Sequence, residues 1–292
     1  MANPSRIYLQ KLDPAPATIL DFLVERFPGV TRDVWIDRMT RGIVTTPSGR
    51  KLTEKSPYAH GLTITYYRES ELEPHVPFEE RIVHRDERII IVDKPHFLPV
   101  VPGGAYVEEC VLVRVRRSTG LTELTPMHRL DRDTAGLVLF VIGAELRAHY
   151  HALFAEDAVD KEYIAVAHVP ERPAEREWQI ESHIEQGDPW YRSRIGEGEP
   201  NARTRIVLEE WRDGRGRFRL FPRTGRKHQL RVQMASLGWP IVNDRLYPVV
   251  VEETADLHEH PMQLLASRLA FTDPVTGERI DVASDRQLTL DA

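Results

Sequence analysis

A single carboxylate, Asp131, lies between Arg129 and Arg132 in the run His128-Arg129-Leu130-Asp131-Arg132-Asp133-Thr134-Ala135. The residues that follow, 136–142, are apolar, rich in branched side chains and bounded by Gly143, a pattern that reads as a short strand buried on both faces. Asp131 then sits in a loop at the lip of a rigid scaffold, where reacting groups are commonly found. Neighbouring guanidinium groups favour the charged form of a carboxylate, and such a group serves as a nucleophile or a base. Two other readings compete. Asp131 and Asp133 can shape the turn by accepting backbone N–H groups, as Asx residues often do. Alternatively, Asp133 supplies the second acid that sugar hydrolysis would require.

Three further segments carry groups able to act beside such a carboxylate. Lys161-Glu162-Tyr163-Ile164-Ala165 puts a tyrosine at the start of a strand, and Thr224-Gly225-Arg226-Lys227-His228-Gln229-Leu230-Arg231 puts a glycine turn and basic residues at a helix start. Asp93-Lys94-Pro95 with Leu98-Pro99-Val100 reads as a strand stopped by proline and continued as a rigid loop. The sequence has no ligand cluster with metal spacing and no glycine-rich phosphate loop. The expected reaction therefore uses no metal, no cofactor and no bound nucleotide cofactor. Cys110 is the only cysteine, which excludes an internal disulfide, and its neighbours Val111, Leu112 and Val113 mark it as a core filler.

The net charge of -6 argues at first against a nucleic-acid partner. The average hides an asymmetry: residues 203–231 hold ten arginines and lysines against three acids, a balance of +7, whereas 244–292 hold four arginines against ten acids, a balance of -6. Local charge decides whether a phosphate backbone is attracted, although solvated arginines on an exposed hairpin are the plainer alternative. No apolar stretch approaches the roughly 18 residues of a membrane helix, and the N-terminus lacks the order of a signal peptide. The expectation is a cytoplasmic protein with no membrane association, a monomer by default.

At 292 residues the chain has room for a small module and a larger catalytic region. Helical spacing over 18–27 and 33–40, then strand-like 43–45 and 62–67, predicts a compact helix-helix-strand module, placed at 1–75. The acidic, proline-containing stretch 69–77 reads as a linker. In the larger region, 76–292, strands are expected at 89–94, stopped by Pro95, and at 136–142, 162–169, 178–184, 204–210, 217–221 and 264–271, and helices at 146–154 and 227–237. Residues 111–117 fit a helix or a strand equally. Strands outnumber helices and few connections look like helical crossovers, so an α+β fold with a mixed, mainly antiparallel sheet is favoured.

Taken together, His128-Arg129-Leu130-Asp131-Arg132-Asp133-Thr134-Ala135-Gly136-Leu137-Val138-Leu139-Phe140 and the three segments above closely resemble the RluA-type RNA pseudouridine synthases over about residues 80 to 270. This sequence departs at Ala135, where that family more often has Ser, at Gln233, where it has His, and at Phe97 and Asn243, where it has Gly. The resemblance implies a pseudouridine-synthase sheet with a central cleft. It also implies isomerisation of uridine in ribosomal or transfer RNA, with the target base flipped out. The module at 1–75 is similar to the small RNA-binding domain often found before such catalytic regions.

By the same resemblance Asp131 is the essential carboxylate, Arg231 the basic residue that pairs with it, and Tyr163 the residue that stacks on the target base. Leu230 would close the apolar side of the pocket. Arg129 is the choice for filling the space the flipped base vacates, since a guanidinium plane stacks on bases and bonds to phosphate. His128, Arg226 and Lys227 complete the expected RNA contacts, with His128 more simply read as a satisfied loop histidine. The arginines of 203–223 are expected to grip the RNA backbone without reading sequence. A non-catalytic RNA-binding or chaperone protein on the same scaffold is the alternative.

Overall fold

The computed structural model describes residues 5–28, 30–67, 73–252 and 257–290. The chain divides into two compact units, Met1–Glu73 and Pro74–Ala292. The first contains β1 (Ser5–Tyr8), α1 (Ile19–Arg26), α2 (Arg32–Thr40), β2 (Val44–Thr45) and β3 (Thr63–Tyr66), with the strands antiparallel in the order β1-β3-β2. Thr18 caps α1 by accepting the Asp21 N–H while the Asp21 carboxylate accepts the Thr18 N–H, so two orphan donors are satisfied at once. Leu20, Leu23, Trp35, Met39 and Ile64 form its core. Among its described residues the unit holds the expected helices and strands and one strand more, β1. β1 escapes sequence reading because it is four residues long and only half-buried. Of the expected linker at 69–77, residues 69–72 lie outside the described residues.

The second unit is built on an eleven-stranded sheet. Its elements are β4 (Arg81–Arg85), β5 (Ile89–Lys94), α3 (Val111–Thr119), β6 (Leu124–Pro126), β7 (Ala135–Ile142), α4 (Arg147–Ala155), β8 (Asp160–His168), β9 (Glu177–Gln186), β10 (Ser193–Gly196), β11 (Ala202–Arg212), β12 (Arg215–Pro222), α5 (Gln229–Ser236), β13 (Leu264–Thr272) and β14 (Arg279–Ala283). The strand order is β10-β9-β11-β12-β8-β13-β7-β5-β4, with β14 on β13 and β6 on β7. Among the described residues only β13 and β7 run parallel, so the sheet is mixed and mainly antiparallel, as expected.

Period-2 alternation explains why the apolar runs at β5 and β7 are continuous. Ile90, Val92, Val138 and Phe140 pack with Val111 and Val115 of α3, whereas Ile89, Ile91, Leu137 and Leu139 pack on the other face with Tyr150 of α4. The ambiguous segment at 111–117 is therefore helical: its two valines four residues apart both enter the core, and Gly120 at φ 74° closes the helix.

Three backbone positions carry information about the site. Gly136 has φ 113°, and a side chain there would run into the Ala266 backbone across the β13–β7 pair. Phe97 and Asn243 have φ 66° and 61°, the left-handed region that suits the glycine which the resemblance leads one to expect at both positions. Asn tolerates this region; for Phe97 it costs about 1–2 kcal/mol. Burial of the ring beside Phe78 and His258 offsets that cost. Gln233, where the resemblance would put a histidine, is also buried: it accepts from Thr204 Oγ1 at 2.6 Å and donates to Ser182 Oγ at 2.9 Å, tying α5 to β11 and β9.

Candidate active site

The loop bearing Asp131 is held from below by the last residue of β5, Lys94, and by His96 just beyond it. Lys94 is fully buried, and its Nζ donates to the carbonyls of Pro95 (2.9 Å), Leu98 (2.7 Å) and Arg132 (2.9 Å). Burial lowers its pKa to about 7, opposed by the charges of Asp133 and Asp131. Three carbonyl acceptors nevertheless ask for three N–H donors, which only the ammonium form supplies. His96 Nδ1 lies 2.7 Å from the Asp133 carbonyl, so that nitrogen carries the hydrogen, and burial pushes the imidazole down to about 4. Sequence reading saw a rigid loop in Asp93-Lys94-Pro95 but no role for the lysine, because its burial depends on partners 38 residues away.

From above, α5 delivers Arg231. The side chain is 2% exposed; its Nη1 donates to Asp131 Oδ2 at 3.0 Å, across 100 residues of sequence. Its other edge forms a two-point contact with Asp244, Nε to Oδ2 at 2.7 Å and Nη2 to Oδ1 at 2.6 Å. Burial alone would lower the pKa of Arg231, but Asp244 and Asp131 more than reverse this and hold it above its usual value. Asp244 Oδ1 also accepts the backbone N–H groups of Leu246 (2.8 Å) and Tyr247 (3.2 Å), so the carboxylate that aims Arg231 is itself fixed from three directions. Asp244 was missed as a site residue, since nothing local to Val242-Asn243-Asp244 shows that it meets α5.

His228 precedes α5 with φ 56°, a left-handed turn that swings its ring toward the loop. Its Nε2 is 3.9 Å from Asp131 Oδ1, too long for a hydrogen bond, and its Nδ1 is 2.9 Å from the Tyr247 hydroxyl. The same hydroxyl accepts the Ser193 N–H at 2.7 Å and donates to the Ser193 carbonyl at 3.0 Å. Burial lowers His228 to about 4, so the ring is neutral near pH 7.

Asp131, half-buried, opens into a cleft of about 100 Å³ whose walls include Arg129, Tyr163, Arg226, Leu230 and Arg231. That is well below the roughly 300–1,000 Å³ of a pocket that engulfs a small molecule. It suits one inserted group whose remaining parts stay outside. Tyr163 comes from β8, opposite Leu220 of β12 and Ala266 of β13, and packs against both adjoining core clusters. Burial, then the Asp131 charge, raises its pKa, so the phenol keeps its proton. Leu230 packs with Leu220 and Leu264 on the apolar side.

Two expected residues stand elsewhere. His128 turns inward: its Nε2 accepts the Leu139 N–H at 3.1 Å, its ring stacks on Phe154 at 4.9 Å, and burial lowers it to about 3. It is the satisfied loop histidine of the simpler reading. Lys227 is exposed beside the cleft, its Nζ 5.8 Å from the centre of the Trp190 ring.

The basic segment is also placed differently from expectation. On β12 the arginines alternate with Phe218 and Leu220, which face α5, so Arg217 and Arg219 occupy the sheet face away from the cleft. They pair with Glu209 at 3.4 and 2.5 Å, while Arg203, Arg205 and Arg223 pair with Glu181, Glu177 and Asp157 at 3.0, 3.6 and 3.5 Å. Charge counted along 203–231 overlooked Glu177 and Glu181 of β9 and Asp157 ahead of β8. Asp133 is likewise paired, to Arg132 at 2.9 Å and Arg245 at 3.2 Å. Burial would raise its pKa, but the two arginines overcome this and lower it, the opposite of what an acid for sugar hydrolysis needs.

Comparison with known proteins places this geometry. The sequence model of the family described as RNA pseudouridylate synthase matches residues 88–236. An uncharacterized RNA pseudouridine synthase of Synechocystis is 32% identical over 241 residues, 78% of this chain and 79% of that protein. The dual-specificity RNA pseudouridine synthase RluA of Pasteurella multocida is 32% identical over 200 residues, covering 68% and 89% of the two chains. Among solved structures, human RNA pseudouridylate synthase domain containing 1 superposes with a TM-score of 0.59 at 23% identity, over 74% of this chain and 86% of that one, a likeness of fold. Among the described residues no helix is long and apolar enough to cross a membrane. The chain belongs to the RNA pseudouridine synthase family, among its RluA-type members.

Proposed function

We propose that this synthase converts a uridine in structured ribosomal or transfer RNA to pseudouridine, with Asp131 as the essential group and the target base flipped into the cleft. The observation that carries the reading is the Asp131–Arg231–Asp244 chain, which aims one carboxylate at a small cleft between Tyr163 and Leu230. The reaction breaks the bond from uracil N1 to ribose C1′, turns the base, joins C5 to C1′ and moves a proton from C5 to N1. It is redox-neutral, and a positioned carboxylate is enough to start it, by attack or by taking the ribose 2′ proton.

A cleft of this size admits a base but not a duplex, which favours a nucleotide swung out of its stack at a cost of a few kcal/mol. Tyr163 and Leu230 offer the base an aromatic and an aliphatic wall. Arg129, exposed at the cleft lip, is suited to occupy the space left behind, and Arg226 to meet phosphate. The relatives named for their substrates include dual-specificity RNA enzymes and the tRNA pseudouridine synthase C of Vibrio cholerae, which support ribosomal or transfer RNA as the substrate class. The test is tritium release from RNA labelled at uridine C5, with RNA from cells lacking the gene as substrate. Release by the wild-type protein and none by Asp131→Asn is expected; equal release by both removes Asp131 from the chemistry.

A further inference from the structure

The loop between β9 and β10 presents Trp190 at 71% exposure, with Tyr191 at 38% beside it. Tryptophan rarely stands so open, because leaving its face in water forgoes a large apolar burial. The loop is not loosely attached. Arg192 donates to the Pro248 carbonyl at 2.8 Å, Ser193 Oγ donates to the Lys227 carbonyl at 2.8 Å, and the Ser193 backbone grips the Tyr247 hydroxyl that also meets His228. Trp190 is therefore held in register with the segment that lines the cleft and faces Asp131. The Lys227 ammonium lies 5.8 Å from the centre of its ring and 3.5 Å from the Trp190 carbonyl, the Tyr191 ring stands edge-on to it at 5.9 Å, and most of the side chain is open to solvent.

We propose that Trp190 is a stacking platform for a base of the RNA substrate that neighbours the target uridine, with Lys227 meeting the adjoining phosphate. An aromatic plane and a cation at the rim of a one-base cleft match the two chemical faces of a nucleotide, a π-surface and an anion. The platform grips the strand without reading it, because every base offers a stackable face. This site rests on the proposed function, since the ligand is the same RNA.

The test uses the full-length protein and a fluorescein-labelled single-stranded oligouridine, with affinity read by anisotropy and tryptophan quenching. Stacking energies imply that Trp190→Leu weakens binding about 5- to 160-fold, while Trp190→Phe keeps most of the affinity and loses the RNA-induced quench. At 71% exposure the substitution removes little from the core, so a loss restored by Phe reports stacking. Wild-type affinity in Trp190→Leu, with the wild-type enzyme still active on RNA, overturns the platform and leaves the function standing. An enzyme that neither binds nor isomerises RNA overturns the function and the platform with it. Self-association that Trp190→Leu abolishes assigns the patch to a second copy of the chain and overturns the proposal.

Discussion

Asp244 never needs to touch RNA, yet its replacement should be among the most damaging single changes in the protein. In the native site the Arg231 guanidinium is 2% exposed and the Asp244 side chain fully buried, joined by contacts of 2.7 and 2.6 Å. Asp244→Asn keeps the shape but removes the charge and turns an N–H toward the guanidinium, leaving a buried cation with half its compensation. Removing one partner of such a pair costs about 3–5 kcal/mol. The N–H groups of Leu246 and Tyr247 compete for the remaining acceptor oxygen, which puts the change in the upper part of that range. For a body of this size about 4 kcal/mol corresponds to roughly 10 °C in Tm. Asp131→Asn is the internal control: Asp131 is 29% exposed and Arg231 keeps its two-point contact with Asp244, so the loss should be about 1 kcal/mol or less. Thermal unfolding by circular dichroism, with urea midpoints alongside, reads both. A wild-type midpoint for Asp244→Asn would refute the claim that a buried carboxylate holds Arg231 in place.

Other consequences follow from the same geometry. Lys94→Met strands three buried carbonyls and should cost about 4 kcal/mol in urea unfolding, with a loss of turnover as the Arg132 carbonyl is freed; a change below about 1 kcal/mol would contradict the stapling role. Burial lowers His96, His128 and His228 to about 4, 3 and 4, so between those values and about 6.5 the unfolded chain binds protons that the folded one refuses. The imidazoles should withdraw almost nothing above pH 7 and cost about 1 kcal/mol each on going to pH 5.5. Urea midpoints across that range read the slope, and His128→Gln, whose amide oxygen can still accept the Leu139 N–H, should flatten it by about a third. Gly136→Ala forces a Cβ into the Ala266 backbone at φ 113° and should cost at least about 3 kcal/mol by the same assay; native stability would mean that β7 and β13 can separate freely.

What could be read from the sequence was the local part of the structure. The runs that became β5 and β7 announce themselves because burial on both faces leaves no polar alternation to confuse them. Asp131, Tyr163, Leu230 and Arg231 were identified together, and they share one cleft. What escaped depends on contacts between distant segments. Asp244 and Lys94 look ordinary in their own stretches, and only the folded sheet shows each aligned with the Asp131 loop. β1 and β10 are four residues each and carry too little pattern to stand out. The arginines of β11 misled for the same reason: the acidic partners of Arg203 and Arg205 on β9 lie more than twenty residues away in the chain and only one strand away in the sheet.

The most direct measurement is a pseudouridine map of total RNA from cells lacking the gene, repeated after adding back the wild-type or the Asp131→Asn protein at equal abundance. The account predicts at least one site that vanishes on deletion, returns with the wild type and stays absent with Asp131→Asn. Restoration of that site by Asp131→Asn would contradict it.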